Sequence, residues 1–356
     1  MPLRSQSQKT ILLAMHAPET ENPRKENSPK QMTWTALKVA AKFALPVGII
    51  VWLSLHIDWR ELQQQPKHYG LLAIAFVIAL SAVSLSFARW CLLVRCQGIS
   101  LSMVQAFRIS AICFLFNFIS VGSVGGDLFK ALFLARGRPG KHVEAVASVL
   151  VDRAVGLFGL VLIVTAAIIV TDPAGSTTDT QTRLDQIKFA TAVLVSAGTA
   201  CLLCLVFGGK QIDKFIVRSR TIPGVGAMLA TIAAPLRMFR EHRLGLLLAI
   251  VMSLGVHLLI VVSMYLIARG LYSNPPTFSD HLVIVPIGML AAAMPIAPAG
   301  LGVFEAVIQW LYEVIPAKPT LASGTLVALV FELVKITMAI VGTIFYWSAK
   351  EEERTR

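Results

Sequence analysis

The sequence predicts an all-α polytopic membrane protein, with six full transmembrane helices plus two re-entrant helical hairpins, eight hydrophobic segments in an inverted-topology repeat. Three observations carry this expectation. Hydrophobic residues make up 56% of the chain and charged residues only 15%, against about a quarter charged in soluble domains. Six apolar runs reach the roughly 20 residues that a helix needs to cross a hydrocarbon core about 30 Å thick. Two further apolar runs each stop at a break of small residues, and each break is followed by a shorter helical stretch.

The elements follow in order. Residues 1–36 are polar and hold Pro2, Pro18, Pro23 and Pro29, and their one apolar patch, "ILLAM", is too short for a signal-peptide core. They are expected to form a disordered cytosolic tail. The spanning runs are 37–57, 69–88, 144–171, 187–207, 244–269 and 321–348. The interrupted runs are 101–122, which breaks at "SVGSVGGD" and restarts over 128–137, and 281–297, which breaks at "PIAPAGLG" and restarts over 303–315. Between 187–207 and 244–269 the stretch 208–243 mixes basic and apolar residues, as a cytosolic amphipathic segment on anionic headgroups does. Residues 349–356 are expected to be a short cytosolic tail.

The two breaks align without a gap, "SVGGDLFKA" (123–131) against "PAGLGVFEA" (298–306). Gly125 meets Gly300, Phe129 meets Phe304, and Lys130 meets Glu305. The halves 37–171 and 187–348 each read helix, helix, hairpin, helix.

Charge placement then selects a topology. If both interrupted runs dip in and return on one side, both termini lie inside, together with Lys210, Lys214, Arg218, Arg220, Arg237, Arg240 and Arg243. If 101–122 crossed instead, those cations would move outside and Asp172, Asp179 and Asp185 would move in, against the positive-inside bias. Non-helical backbone at membrane depth is tolerated where it is buried in protein or lines a wet cavity. The two halves then start from opposite sides, an arrangement common among secondary transporters, which bind substrate near the midplane between broken helices.

Net charge is +12, but the cations lie in short loops beside apolar runs, which excludes a nucleic-acid stripe. Cys91, Cys96, Cys113, Cys201 and Cys204 fall in or beside apolar segments, and the C-x-x-C at Cys201 and Cys204 lacks a second ligand pair, so neither a metal nor a cofactor is expected. No G-x-S-x-G, H-E-x-x-H or Walker loop is present, so no catalytic residue is assigned.

The candidate site residues are the charges at membrane depth, which are costly to place there and mark pathways or paired structure. Asp127 stands where the first hairpin restarts, as an N-cap or as a substrate contact. Lys130, one turn on, is placed to snorkel to headgroups or to meet a phosphate. Asp152 and Arg153 lie inside the third long helix; being adjacent, they point about 100° apart and need not pair with each other. Glu332 and Lys335 lie one turn apart in the last helix, as an intrahelical salt bridge or a cavity-facing pair. Glu305, in the second hairpin, has no basic neighbour in sequence. His257 is read as a neutral imidazole bonding across helices. The hairpin tips are assigned to Gly125, Gly126, Pro298, Gly300 and Gly302.

"VGGDLFKALFLARGR", "ASVLVDRAVGLFGL" and "PIAPAGLGVFEA" together resemble the flippase-like membrane domain of the lysylphosphatidylglycerol synthase (multiple peptide resistance factor) family, over about residues 37–348. The resemblance implies movement of a charged phospholipid between leaflets, in a bacterial inner membrane, with Asp127, Asp152, Arg153 and Glu305 as functional positions. Full-length synthases add a soluble domain that makes aminoacyl-phosphatidylglycerol, and this chain ends soon after its last helix, so synthase activity is expected to be absent. Ser120 and Ser123 depart from the family's proline-richer first tip. The expected partners are membrane lipids, an anionic phospholipid or a lipid-linked intermediate, and not nucleic acid. Two alternatives stay open: a membrane partner or component of a lipid glycosyl- or aminoacyl-transferase, and a small-solute transporter.

Overall fold

The computed structural model describes residues 67–119, 125–171, 235–294 and 300–354, apart from Gly137 and Leu236, with scattered positions in 51–65 and 189–200. The tail 1–36, the run 37–57, most of 187–207 and of the loop 208–243, and the tip residues 120–124 and 295–299, Pro298 among them, lie outside the described residues.

Among the described residues the apolar runs fold as helices and no strand occurs. In chain order the long helices are α1 (Tyr69–Cys96), α2 (Met103–Ile119), α3 (Gly125–Ala135), α4 (His142–Thr171), α5 (Arg243–Leu271), α6 (Phe278–Ala293), α7 (Val303–Val314) and α8 (Gly324–Arg354). By length and composition α1, α4, α5 and α8 are able to cross a membrane, and α2 and α6 are shorter apolar helices. The chain is an integral, multi-pass membrane protein.

Helix ends differ from the sequence expectation where charge misleads. The apolar run 69–88 stops before Arg89, yet α1 continues two turns further to Cys96, because Trp90, Cys91, Leu93 and Val94 are all buried. Past Trp347, α8 runs on through "SAKEEER" to Arg354, residues that mostly favour helix and need no burial. At the start of α6, Thr277 and Asp280 form a capping box: Thr277 Oγ1 accepts from Asp280 N at 3.2 Å while Asp280 Oδ2 accepts from Thr277 N at 2.8 Å.

α1 and α5 form the spine and run antiparallel along their whole length. His68 N donates to the Gly270 carbonyl at 3.0 Å at one end. Further along, Ser263 Oγ donates to the Ala75 carbonyl at 2.8 Å and Arg89 Nη1 donates to Ser253 Oγ at 3.0 Å. At the other end Gly245 faces Cys96. Ala75, Ala79 and Ala82 are fully buried on this seam, and small residues of this kind let helix backbones approach closely in a membrane, where dispersion rather than water exclusion holds helices together.

Two antiparallel helical hairpins flank the spine. In the first, Gly126 N donates to Asn117 Oδ1 at 3.0 Å near the tip, and Arg138 Nη2 donates to the Ser100 carbonyl at 3.3 Å at the base. In the second, Gly300 packs on Ala292 near the tip, and His281 Nε2 and Tyr312 Oη lie 2.7 Å apart at the base.

The first base is buried with the end of α1 and the start of α4, through Trp90, Val94, Leu101, Leu134, Ala145 and Val149. The second is buried with the end of α5 and the start of α8, through Leu271, Tyr272, Ile284, Leu311, Tyr312 and Leu326. The two bases therefore lie at opposite ends of the α1–α5 pair.

Each outer helix grips the other hairpin. α8 packs on α2, with Gly342 against the Ala111 carbonyl and Phe107 edge-on to Phe345 at 6.4 Å. α4 packs on α6, with Val164, Ala167 and Ile168 around Val283. α4 also packs along α5 in the same direction: Ser253 Oγ donates to the Val155 carbonyl at 3.1 Å, and one turn on His257 faces Gly156 and Gly159.

Candidate functional site: a charged cavity between two hairpin tips

Described residues flanking both hairpin tips line one cavity of about 300 Å³. Asn117, Gly126, Asp127 and Lys130 reach it from the first, and Met289, Ala292, Ala293 and Phe304 from the second. α1 adds Arg89, α4 adds Asp152, Arg153 and Gly156, α5 adds His257, and α8 adds Phe331 and Lys335. Leu157, Leu160, Val256, Ile260 and Val334 fill the wall between these polar groups.

The charges are organised in pairs, two of which join different elements and one of which lies within α8. Arg89 Nε donates to Asp152 Oδ1 at 2.8 Å, with side-chain exposures of 8% and 12%. Arg153 Nε donates to Asp127 Oδ2 across the gap between α4 and the first tip, and this pair is more open, at 43% and 20%. Asp152 and Arg153 therefore each find a partner elsewhere, as their 100° offset requires. On the far wall Lys335 Nζ donates to Glu332 Oε1 at 2.6 Å and stands 5.3 Å from the centre of the Phe304 ring.

Lys130 differs from the other three cations. Its ammonium lies 4.5 Å over the Trp90 ring, and the side chain lines the cavity. Among the described residues it has no carboxylate at ion-pair distance, so its charge is offset by a π face and by Asp127 and Asp152 at longer range.

Tip geometry explains the glycines. The amide of Gly126 is held by Asn117, and a Cβ there would strike Asn117 and the Cys113 carbonyl, so the first tip closes only without a side chain. Gly300 and Gly302 have φ of 75° and 82°, the left-handed region that L side chains avoid. With Gly302 so turned, its amide donates to Glu305 Oε2 at 2.7 Å, which fixes that carboxylate inside the first turn of α7. Asp127 occupies the corresponding first turn of α3 and points instead at Arg153.

Of the candidates drawn from sequence, the cavity wall holds Asp127, Lys130, Asp152, Arg153 and Lys335, while Glu332 joins it through Lys335. Glu305 is fully buried behind Phe304, where both Glu332 and Lys335 act on its charge. His257 bonds across helices as expected, its Nε2 3.0 Å from the Gly156 carbonyl. Arg89 and its neighbour Ser253 were missed. The available signal was the unbroken apolar stretch on both sides of Arg89, which places a cation inside a helix rather than at its end. Among the described residues, no three His, Cys, Asp or Glu side chains gather as a metal site.

The sequence itself decides the lineage. A model of the lysylphosphatidylglycerol synthase transmembrane region matches residues 38–342. The chain belongs to that family. No curated protein and no solved structure matches it. The match to the lysylphosphatidylglycerol synthase transmembrane region takes in every helix that builds the cavity, from Arg89 on α1 to Lys335 on α8.

Proposed function

We propose that this protein moves a phospholipid or lipid-linked intermediate between leaflets, its charged headgroup passing through the cavity between the hairpin tips. One observation carries the proposal: a single cavity, lined by both tips, collects Arg89, Lys130, Arg153 and Lys335 against Asp127 and Asp152. Such charges at membrane depth mark pathways. A space of about 300 Å³ holds about ten waters, room for a headgroup while the acyl chains stay among the helices. Lys130 is the natural first contact for a phosphate, since binding there breaks no existing ion pair.

On this reading the hairpins are re-entrant and the halves form an inverted repeat. Support comes from α2 at 17 residues and α3 at 11, each short of a full span. Further support comes from hairpin bases at opposite ends of the spine and from the exchanged packing of α8 on α2 and α4 on α6. Because α4 and α5 run the same way, the chain has to return between them, and 187–207 is the apolar run available. The Lys and Arg of 208–243 favour a cytosolic side for that loop and, on this reading, for both termini. Family membership favours a bacterial inner membrane and lipid as the cargo.

The test is headgroup flipping in proteoliposomes, with labelled phosphatidylglycerol and phosphatidylcholine and with Asp152→Asn as control. Acceleration that Asp152→Asn reduces to the rate of protein-free vesicles supports a translocase, and the faster lipid gives the headgroup class. No acceleration by folded protein for either lipid, with and without an imposed proton gradient, rejects it in favour of a small-solute carrier or a partner of a lipid-modifying enzyme.

A further inference from the structure

We propose that Glu305 and Glu332 bind one exchangeable proton between them, with Lys335 setting how many protons the pair holds. The use of this proton in transport rests on the translocase reading; its presence rests on the geometry of α7 and α8.

Both carboxylates are withdrawn from solvent, Glu305 at 0% exposure and Glu332 at 4%. Each has one oxygen engaged: Glu305 Oε2 accepts from Gly302 N at 2.7 Å, and Glu332 Oε1 accepts from Lys335 Nζ at 2.6 Å. Each also has one oxygen, Glu305 Oε1 and Glu332 Oε2, that is buried with no hydrogen-bond partner among the described residues. The two carboxylates act on each other's charge, and Lys335 acts on both.

Among the described residues, the other groups facing this cluster do not make up the difference. α6 packs on α7, but its Asp280 and His281 lie at the base of the hairpin, where Asp280 caps α6 and His281 meets Tyr312. From α1, Arg89 is committed to Asp152; from α5, His257 bonds to the Gly156 carbonyl. From α2, Cys113 faces the cavity, while Arg108 follows Phe107, which packs on Phe345 near the far end of α8. Lys130, Asp127 and Arg153 stand at the first tip with partners of their own.

Among the described residues, these two buried carboxylates and one ammonium leave one negative charge uncompensated. An uncompensated buried charge costs several kcal/mol, and a group in that position takes up a proton instead. One proton brings the cluster to neutrality and gives an otherwise unpaired oxygen an O–H to donate. The proton count then depends on Lys335. When its ammonium turns to an anion in the cavity, the carboxylates lose their cation and bind a second proton, which they release when the anion leaves. Anion binding and proton uptake are therefore linked in the same direction.

Infrared spectroscopy of the purified protein in nanodiscs tests this directly through the protonated-carboxyl stretch and its shift in deuterated buffer. Wild type at neutral pH is expected to show this band. Glu305→Gln and Glu332→Gln each leave one carboxylate facing Lys335 and are expected to lose it. Lys335→Met is expected to enlarge it. If the Gln variants do not fold, wild type and Lys335→Met decide the question. Absence of the band in wild type, its persistence in both Gln variants, or its control by sodium rather than pH overturns the proposal. The spectrum needs no transport. Flipping without the band therefore removes the proton site and keeps the translocase, and the band without flipping does the reverse.

Discussion

The two hairpins share a shape and differ in where they keep their charge. At the first, Asp127 and Lys130 open onto the cavity, and the Arg153 that meets Asp127 is 43% exposed. At the second, the aligned position to Lys130 is Glu305, fully buried behind Phe304 with Glu332. The first tip thus turns its charges to the cavity, and the second keeps a buried cluster of two carboxylates and one lysine. A fold whose halves were equivalent would have no reason to place a cation at one tip and a carboxylate at the other. On the proposed function, this difference gives recognition to α3 and α4 and charge compensation to α7 and α8.

The largest expected effect lies on the buried pair that locks α4 to the spine. Arg89→Ala leaves Asp152 buried without its cation, and loss of one partner of a buried pair costs about 3–5 kcal/mol. A second substitution, Asp152→Asn, should recover most of that loss, and thermal unfolding of the four proteins in detergent gives the coupling. Equal, additive losses would show that Arg89 acts by packing alone.

Lys335→Met comes next, because the acidic cluster is able to adapt where Asp152 is held fast. The unfolded chain keeps its carboxylates ionised at pH 8, whereas the folded variant must bury two of them or bind protons. Its deficit should be about 2 kcal/mol at pH 8 and should shrink as pH falls, since protonation removes the buried charge. Melting curves across pH 5–8 measure this, and a deficit that does not change with pH would remove the distinction between the halves.

The tips come third. Gly302→Ala forces a Cβ onto a φ of 82°, at a cost of about 1–2 kcal/mol, and should also pull the Gly302 amide from Glu305. The protonated-carboxyl band should then shift as well as the melting temperature. A melting shift with an unchanged band would mean that the amide does not position Glu305.

Much of this was legible in the sequence because membrane depth leaves few solutions. Apolar length set α1, α4, α5 and α8, and the breaks at Gly125–Gly126 and Gly300–Gly302 marked both tips. The charges Asp152 and Glu332 stood out because each lies in a long apolar run that holds only one or two other charges. Partners were not legible. Arg89 and Asp152 are far apart in the chain, and only the crossing of α1 with α4 joins them. Arg89 also looked like the cation that ends a span, since a positive residue after an apolar run usually sits at the interface. Glu305 had no neighbour in sequence because its neighbours come from α8, and its depth depends on how α7 folds back. Periodicity gives no account of that.

The smallest effect on stability belongs to the open pair, and it is the most direct probe of the comparison. Arg153 and Asp127 are joined at a wet cavity mouth, where ion pairs contribute about 0–1 kcal/mol, so Arg153→Gln should hardly change the melting temperature. If the first half is the recognition surface, the same substitution should still slow flipping of phosphatidylglycerol more than of phosphatidylcholine, because a cation near the headgroup phosphate has been lost without altering the fold. Glu332→Gln should show the opposite balance, slowing both lipids alike, because the second half acts on charge rather than on headgroup identity. Should Arg153→Gln and Glu332→Gln slow the two lipids in the same proportion, the division of labour between the hairpins would fall. The cavity would then act as one undivided site.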